Sequence, residues 1–312
     1  MNIHEKIKGL DHPYIIAELG SNYRDNEDLV YAISLAKSAG ADAIKYQYFD
    51  ESELYGPTPK LAKHIFPRLK EKAMAVGIDL IASSFSPEGL KEIDPYVDAH
   101  KIASCEMSHM RLLEAAKSTG KTLILSTGAH GLLAIKRAID FMCGHPMVIL
   151  HCNVSYPTKY TDYLKFKEIK TLHDVVGYSD HTTNIDVVPL SYVASGAKVI
   201  EKHFNPFDLK DTPDAPHSLN QKEFSTMCAL LKGSVPGFTE ENEAKLKHIR
   251  RIVAIRHIEQ GDVLKEGVNI GFFRSRIEDA VGISPMDVSI LEGRTANRSI
   301  QSGHGISRLH VD

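Results

Sequence analysis

Short β-branched runs alternate with longer amphipathic stretches along most of this chain, and the alternation repeats eight times. Strand candidates are Tyr14–Ala17, Ala43–Lys45, Asp79–Ala82, Ala99–Ala103, Thr122–Leu125, Met147–Leu150, Val175–Tyr178 and Val199–Glu201. Helical patterns follow near Glu27–Ala39, Leu61–Val76, Pro87–Ile93, Met110–Ser118, Leu132–Met142, Leu164–Leu172, Ile185–Ser195 and Gln221–Leu231. Glycine-bearing stops at Ala39-Gly40, Val76-Gly77 and Thr119-Gly120 separate helices from the next strand. Eight such units in roughly 230 residues is the arithmetic of an α/β fold of the (β/α)8 barrel type, here residues 1–235. An open doubly wound sheet would have fewer strands, and no Gly-x-Gly-x-x-Gly follows the first of them.

The residues just past each strand carry the functional signal. They are Glu18 and Asn22; Lys45 and Gln47; Ser83 and Ser84; Ser104 and Glu106; Ser126 and Thr127; His151 and Tyr156; Ser179, Asp180 and His181; His203 and Asp214. Every strand runs out into hydrogen-bonding or ionisable groups, and barrels of this type build their active sites on that face. His181 and His203 lie 22 residues apart, about one strand–helix repeat, so their imidazoles stand at adjacent strand ends. Paired there, with Asp214 close behind, they suit a divalent metal; an isolated pair would read as two unrelated polar residues. Lys45 and Lys101, with Ser104, Ser126 and Ser179, suit a phosphate or phospho-carboxylate. Alone, each lysine would be a solvated surface charge, but both follow apolar strand residues that aim them into the mouth. Glu18 faces the same mouth or pairs with a lysine. Glu106 could grip hydroxyls of a polyol or simply start a helix, and Tyr156-Pro157 reads by itself as a turn.

The rest of the sequence excludes more than it assigns. A hydrophobic share of 43% and a charged share of 25% are those of a soluble globular protein, and a net charge of -3 argues against nucleic acid as a partner. Cys105, Cys143, Cys152 and Cys228 are scattered without a Cys-x-x-Cys pair, which suits free thiols in a reducing cytoplasm. No stretch approaches the about 20 apolar residues of a membrane span, and no signal peptide is evident. The breaker run Lys232-Gly233-Ser234-Val235-Pro236-Gly237 opens a linker, 236–250, with a charged, helix-prone Glu240–Lys247. Residues 251–312 are β-rich with glycine turns, a module of about 60 residues that is small for an independent core. Arg274 sits there in Phe272-Phe273-Arg274, where flanking aromatics suggest a held side chain, an exposed strand arginine being the ordinary alternative.

Several of these runs, in order, resemble the sialic acid synthase family: Ile15-Ile16-Ala17-Glu18-Leu19-Gly20-Ser21-Asn22, Ile44-Lys45-Tyr46-Gln47 and Lys101-Ile102-Ala103-Ser104-Cys105-Glu106. So do Leu125-Ser126-Thr127-Gly128, Leu150-His151-Cys152 with Tyr156-Pro157, Gly177-Tyr178-Ser179-Asp180-His181-Thr182 and Glu201-Lys202-His203-Phe204. The tail from Arg251 looks like that family's antifreeze-like (SAF) domain. The resemblance implies a (β/α)8 barrel joined to the small domain in a domain-swapped homodimer. It implies condensation of phosphoenolpyruvate with an N-acetylmannosamine-like or diacetamido-hexose aldose, giving a nonulosonic acid and phosphate. His181 and His203 would ligate Mn²⁺ or Mg²⁺. Lys45, Lys101, Ser104, Ser126 and Ser179 would hold phosphoenolpyruvate, with Glu18 beside the reacting carbons. Gln47, Glu106, Tyr156 and Asp214 would face the acceptor sugar, which Arg274 would reach from the partner subunit. The sequence departs from the family pattern in a short loop after Gln47, at Tyr23, Asp25 and Val154, and at Arg274-Ser275-Arg276, all touching acceptor recognition. The runners-up are another phosphoenolpyruvate-condensing 3-deoxy-ulosonic acid synthase, a class II-type metal aldolase, and a non-enzymatic carbohydrate-binding protein.

Overall fold

The computed structural model describes residues 2–49, 61–234, 250–274 and 282–312. The chain forms two compact units, Met1–Gly237 and Phe238–Asp312. The first opens with a helix, α1 (Ile3–Gly9), ahead of eight parallel strands. These are β1 (Tyr14–Glu18), β2 (Ala43–Tyr48), β3 (Asp79–Ser84), β4 (Ala99–Ile102), β5 (Thr122–Ser126), β6 (Met147–Cys152), β7 (Val176–Asp180) and β8 (Val199–Asn205). Between them run α2 (Asn26–Ser38), α3 (Phe66–Val76), α4 (Pro87–Ile93), α5 (Met110–Thr119), α6 (Leu132–Phe141), α7 (Tyr163–Lys170) and α8 (Val187–Ser195). Each strand pairs with the next, and β1 pairs with β8 from Tyr14 opposite Val199 to Glu18 opposite His203, which closes the barrel. A short β9 (Leu219–Asn220) adds to β8 before α9 (Gln221–Gly233). The eight-unit expectation is met.

Local chemistry explains the elements. Asp25 caps α2 by accepting from the N–H groups of Glu27 and Asp28, and Leu29, Ala32, Ile33 and Ala36 bury one helical face. Helices α3 and α5 stop at Gly77 and Gly120, whose φ values of 69° and 71° only glycine adopts at little cost. Outward strand residues such as Ile15, Ile44, Leu80 and Leu123 pack in one core cluster with the helices. The inward residues at the strand starts (Tyr14, Ala43, Ile81, Ala99, Ile124, Val199) form a second, inner cluster.

Two features differ from expectation. The strands β2, β3 and β8 run on to Tyr48, Ser84 and Asn205, so Gln47, Ser83 and His203 lie within strands rather than in the loops beyond. Their polar side chains lie inside the barrel, where Gln47 donates to Glu18. Helix α1 was not foreseen. Ile3 and Ile7 join the inner cluster at the strand starts, the His4 N–H donates to Thr122 Oγ1 at 3.1 Å, and Lys6 pairs with Asp79 at 2.6 Å.

The second unit pairs β10 (Arg251–Ala254) antiparallel with β11 (Ile270–Phe273), extended by bridges such as Ile258 to Ile300. Its own core includes Ile252, Ile258, Leu264, Ile270, Leu291 and Ile306. The division after Gly237 falls two residues past the expected end of the barrel. The expected linker 236–250 with Glu240–Lys247, the loop after Gln47 at 50–60, and Ser275 and Arg276 lie outside the described residues, apart from Arg250. Among the described residues no helix is long and apolar enough to cross a membrane.

Candidate active site

Strand periodicity builds the site. Along each strand alternate residues point inward, so the apolar inner layer at the strand starts gives way two residues later to a polar one. Ile16 is followed by Glu18, Ala43 by Lys45 and Gln47, Ile81 by Ser83, Ala99 by Lys101, Ile124 by Ser126 and Val199 by Glu201 and His203. Lys45, Gln47, Lys101, Ser104, Ser126, Tyr156, Ser179, His181, His203 and Asp214 line one cavity of about 110 Å³, with Glu201 and Cys152. Ten residues singled out from the sequence thus share a single wall.

One half of this wall is a buried charge network. Lys45 Nζ lies 2.9 Å from Glu201 Oε1 and 3.2 Å from Glu18 Oε2. Ser179 Oγ donates to Glu201 at 3.0 Å, and Gln47 Nε2 donates to Glu18 at 2.7 Å. The two carboxylates titrate apart. Burial pushes Glu18 up to about 7 against the pull of Lys45, with the Glu201 charge adding to the rise. Burial works against Glu201 as well, but Lys45, Lys101 and the hydrogen bonds to it win and hold it below the usual range. Burial brings Lys101 down to about 8, and Lys45 nearby adds to that while Glu201 opposes it. Glu201 was not picked out from the sequence, although its spacing of two from His203 placed it on the same inward face.

The other half is a cluster of imidazoles. His181 and His203 stand with ring centroids 5.5 Å apart, as their strand positions implied. A third ring, His217, had not been singled out. It sits in the turn Ala215–His217, 4.5 Å from the His203 ring and 5.6 Å from that of His181. The donor atoms of His203, Asp214 and His217 all lie within 4.8 Å of one another, a trio that brings in His217 beside the residues the sequence suggested. The available signal was the spacing Asp214-x-x-His217, which a 3-10 turn places on one side. Asp214 Oδ2 accepts from the Ser21 N–H at 2.7 Å and the Ser21 hydroxyl at 2.8 Å. Burial opposes ionisation of Asp214, yet the His203 ring, His217 and Ser21 hold it well below the usual carboxylate range. Burial keeps His203 neutral and moves His181 down to about 4, against a contact to the Asn153 carbonyl. That contact, from His181 Nδ1 at 3.0 Å, requires Nδ1 to donate and leaves Nε2 with its lone pair. Gly20 makes the room: with φ of 54°, a Cβ there would stand 2.3 Å from Asp214 Oδ2.

The remaining candidates divide. Tyr156 lies over His181 with ring centroids 4.1 Å apart and forms part of the cavity wall. Glu18 is fully buried behind that wall and reaches it through Lys45 and Gln47. Glu106 occupies the turn Ser104–Glu106 after β4, half-buried, and does not line the cavity, because the inward position of that turn belongs to Ser104. Arg274 belongs to the second unit, exposed at the end of β11, lining that unit's own cavity of about 660 Å³ with Arg250, Phe273 and Ser302. The flanking Phe273 is itself 54% exposed.

Comparison with known proteins places this arrangement. Residues 32–234 match the model of the NeuB family. The chain belongs to the NeuB family. One relative, an uncharacterised protein of Methanocaldococcus jannaschii, is 35% identical over 88% of each chain. The N,N'-diacetyllegionaminic acid synthase of Legionella pneumophila is 28% identical, covering 96% of this chain and 94% of its own. Among solved structures, the N-acetylneuraminic acid synthetase of Leptospira borgpetersenii, crystallised with citrate, is 29% identical with a TM-score of 0.69, covering 75% of this chain and 90% of that one. The NeuB match spans β2 to α9, and with them all of the cavity residues.

Proposed function

We propose that this protein condenses phosphoenolpyruvate with an open-chain aldose of the N-acetylmannosamine or diacetamido-hexose class, releasing phosphate and a nonulosonic acid. The observation that carries the reading is one cavity with two buried lysines and three serines on one side and an imidazole–carboxylate cluster on the other. Relatives named as acid synthases support the same class. In this reading Lys45 and Lys101, with the hydroxyls of Ser104, Ser126 and Ser179, hold the phosphate and carboxylate of phosphoenolpyruvate. C3 of the enol attacks the aldehyde carbon, and the aldehyde oxygen takes a proton. Water adds to the electron-poor C2 and gives up a proton, and the C2–O bond to phosphate breaks. Glu18, poised near 7 and linked to the cavity through Gln47 and Lys45, is the group suited to exchange a proton during these steps. Lys45 and Lys101 stabilise charge on the departing phosphate.

A divalent ion, Mn²⁺ or Mg²⁺, fits beside His181 and His203. His203 Nδ1 is buried without a hydrogen-bond partner, and His181 Nε2 carries a free lone pair. When bound, such an ion supplies Lewis acidity toward the aldehyde oxygen. We further propose a cytoplasmic, domain-swapped homodimer in which the second unit, similar to SAF domains, offers Arg274 to the acceptor bound in the neighbouring chain. The test is phosphate release from phosphoenolpyruvate with Mn²⁺ across N-acetylmannosamine, diacetamido-hexoses and plain aldoses. Bridge-labelled phosphoenolpyruvate should deliver its label to phosphate. Phosphoenolpyruvate binding without release on any acceptor, or label retained in the sugar acid, refutes the reading.

A further inference from the structure

We infer that His217 is a metal ligand of this protein, an imidazole added to those of His181 and His203, with Asp214 the carboxylate donor between the His203 and His217 rings. The inference rests on the synthase reading only in taking the cluster to be a metal site. His217 is 3% exposed, and its Nε2 has no hydrogen-bond partner; the same is true of Nδ1 of His203, which is 6% exposed. A buried nitrogen left unpartnered is costly unless something binds it. Both nitrogens face the same oxygen, Asp214 Oδ1, at 3.4 Å from His217 and 3.9 Å from His203. Those separations are long for hydrogen bonds. They are the right size for an ion between them, since donors each about 2.1 Å from one centre stand about 3 to 4.2 Å apart. The widest separation in the trio is within 4.8 Å, so the rings need to close by only a few tenths of an ångström.

The other oxygen of Asp214 is already committed. Oδ2 accepts from the N–H and hydroxyl of Ser21, which fixes the carboxylate plane and leaves Oδ1 turned to the two rings. Ser21 Oγ is also the atom to which the Asp214 N–H donates, at 3.1 Å, so the turn that carries His217 is tied to the β1 end. Adding an imidazole moves the preference of the site away from Mg²⁺, which favours oxygen donors and water, and toward Mn²⁺ and the later first-row ions.

The experiment is Mn²⁺ binding to the full chain without substrates, followed by the loss of free-ion EPR signal, for wild type, His203→Gln and His217→Gln. Electron spin-echo modulation of the bound ion then reports its coordinated imidazole nitrogens. Glutamine can still donate to Asp214, so it preserves a purely positioning role while removing the ring. We expect His217→Gln to weaken Mn²⁺ binding at least about tenfold, to narrow the preference for Mn²⁺ over Mg²⁺, and to remove one imidazole coupling. Weaker binding with the imidazole count unchanged would make His217 a positioning residue and overturn the inference. Unchanged affinity, or a folded wild type that binds no Mn²⁺, would overturn it too. Phosphate release that persists alongside an unchanged imidazole count leaves the synthase reading standing without this ligand. Loss of a coupling in a protein inactive on every acceptor does the reverse.

Discussion

Replacing Glu18 by glutamine should make the metal-free protein more stable, and more so as pH rises. Glu18 is fully buried, and its folded value of about 7 lies above the ordinary 4.5. Below pH 4.5 both folded and unfolded chains carry the proton, so the group costs nothing there. Between 4.5 and 7 the unfolded chain ionises while the folded one does not, and stability falls as pH rises through the folded value. The difference of 2.5 units corresponds to about 3 kcal/mol at pH 8. The attraction of Lys45, 3.2 Å away, is already contained in that shift, because it opposes the burial effect. Glutamine keeps the oxygen that accepts from Gln47 and can never ionise. Denaturant unfolding in EDTA should therefore find Glu18→Gln more stable by about 3 kcal/mol at pH 8 and by less than about 1 kcal/mol at pH 5. A variant less stable than wild type at pH 8, or a gap that does not change with pH, would refute the reasoning.

Three other perturbations have distinct signatures. Lys101, brought down to about 8 by burial, is partly neutral in the empty site, so binding of phosphoenolpyruvate near pH 8 should take up protons; calorimetry in two buffers of different ionisation enthalpy measures this, and equal heats would contradict it. In Gly177→Ala the new Cβ would stand 2.1 Å from the Val199 carbonyl oxygen on the neighbouring strand, and melting should reveal a loss of about 1–3 kcal/mol. Lys202, fully buried, donates to Asp180 at 2.7 Å and to the Thr182 carbonyl, so Lys202→Met should cost about 3–5 kcal/mol, with much of that recovered in the Lys202→Met, Asp180→Leu double variant.

The barrel was legible because it rests on local signals: strand periodicity, helix periodicity, and glycine at helix ends. The cavity residues on β2, β4, β5, β7 and β8 were legible for the same reason, since each follows an apolar strand residue by a fixed step. What the sequence hid depends on distant partners. Glu201 acquires its role from Lys45, 156 positions away, and reads locally as nothing more than a strand end. His217 faces the site because Ser21 anchors Asp214 across 193 positions, a contact without local trace. Helix α1 has seven residues, two of them buried isoleucines, too few for a periodic pattern; its stability comes from the barrel floor it covers. The loop positions proved hardest: Glu106 was placed by motif and does not line the barrel cavity.

The two halves of the site are joined by the same two strands with opposite faces. Glu201 and His203 point inward from β8, Glu201 holding Lys45 and Ser179. Lys202, between them, is turned the other way and grips Asp180 at the end of β7, next to His181. The cation-lined pocket and the imidazole cluster therefore cannot shift independently. Their charges are set together as well. With Glu18 ionised, the two lysines and two carboxylates sum to zero, a poor receptor for a multiply charged anion. Glu18 near 7 and Lys101 near 8 both titrate close to neutrality, and both gain protons when an anion arrives. The site can thus remain nearly neutral when empty, which limits the cost of burying four charges, and become cationic as substrate enters.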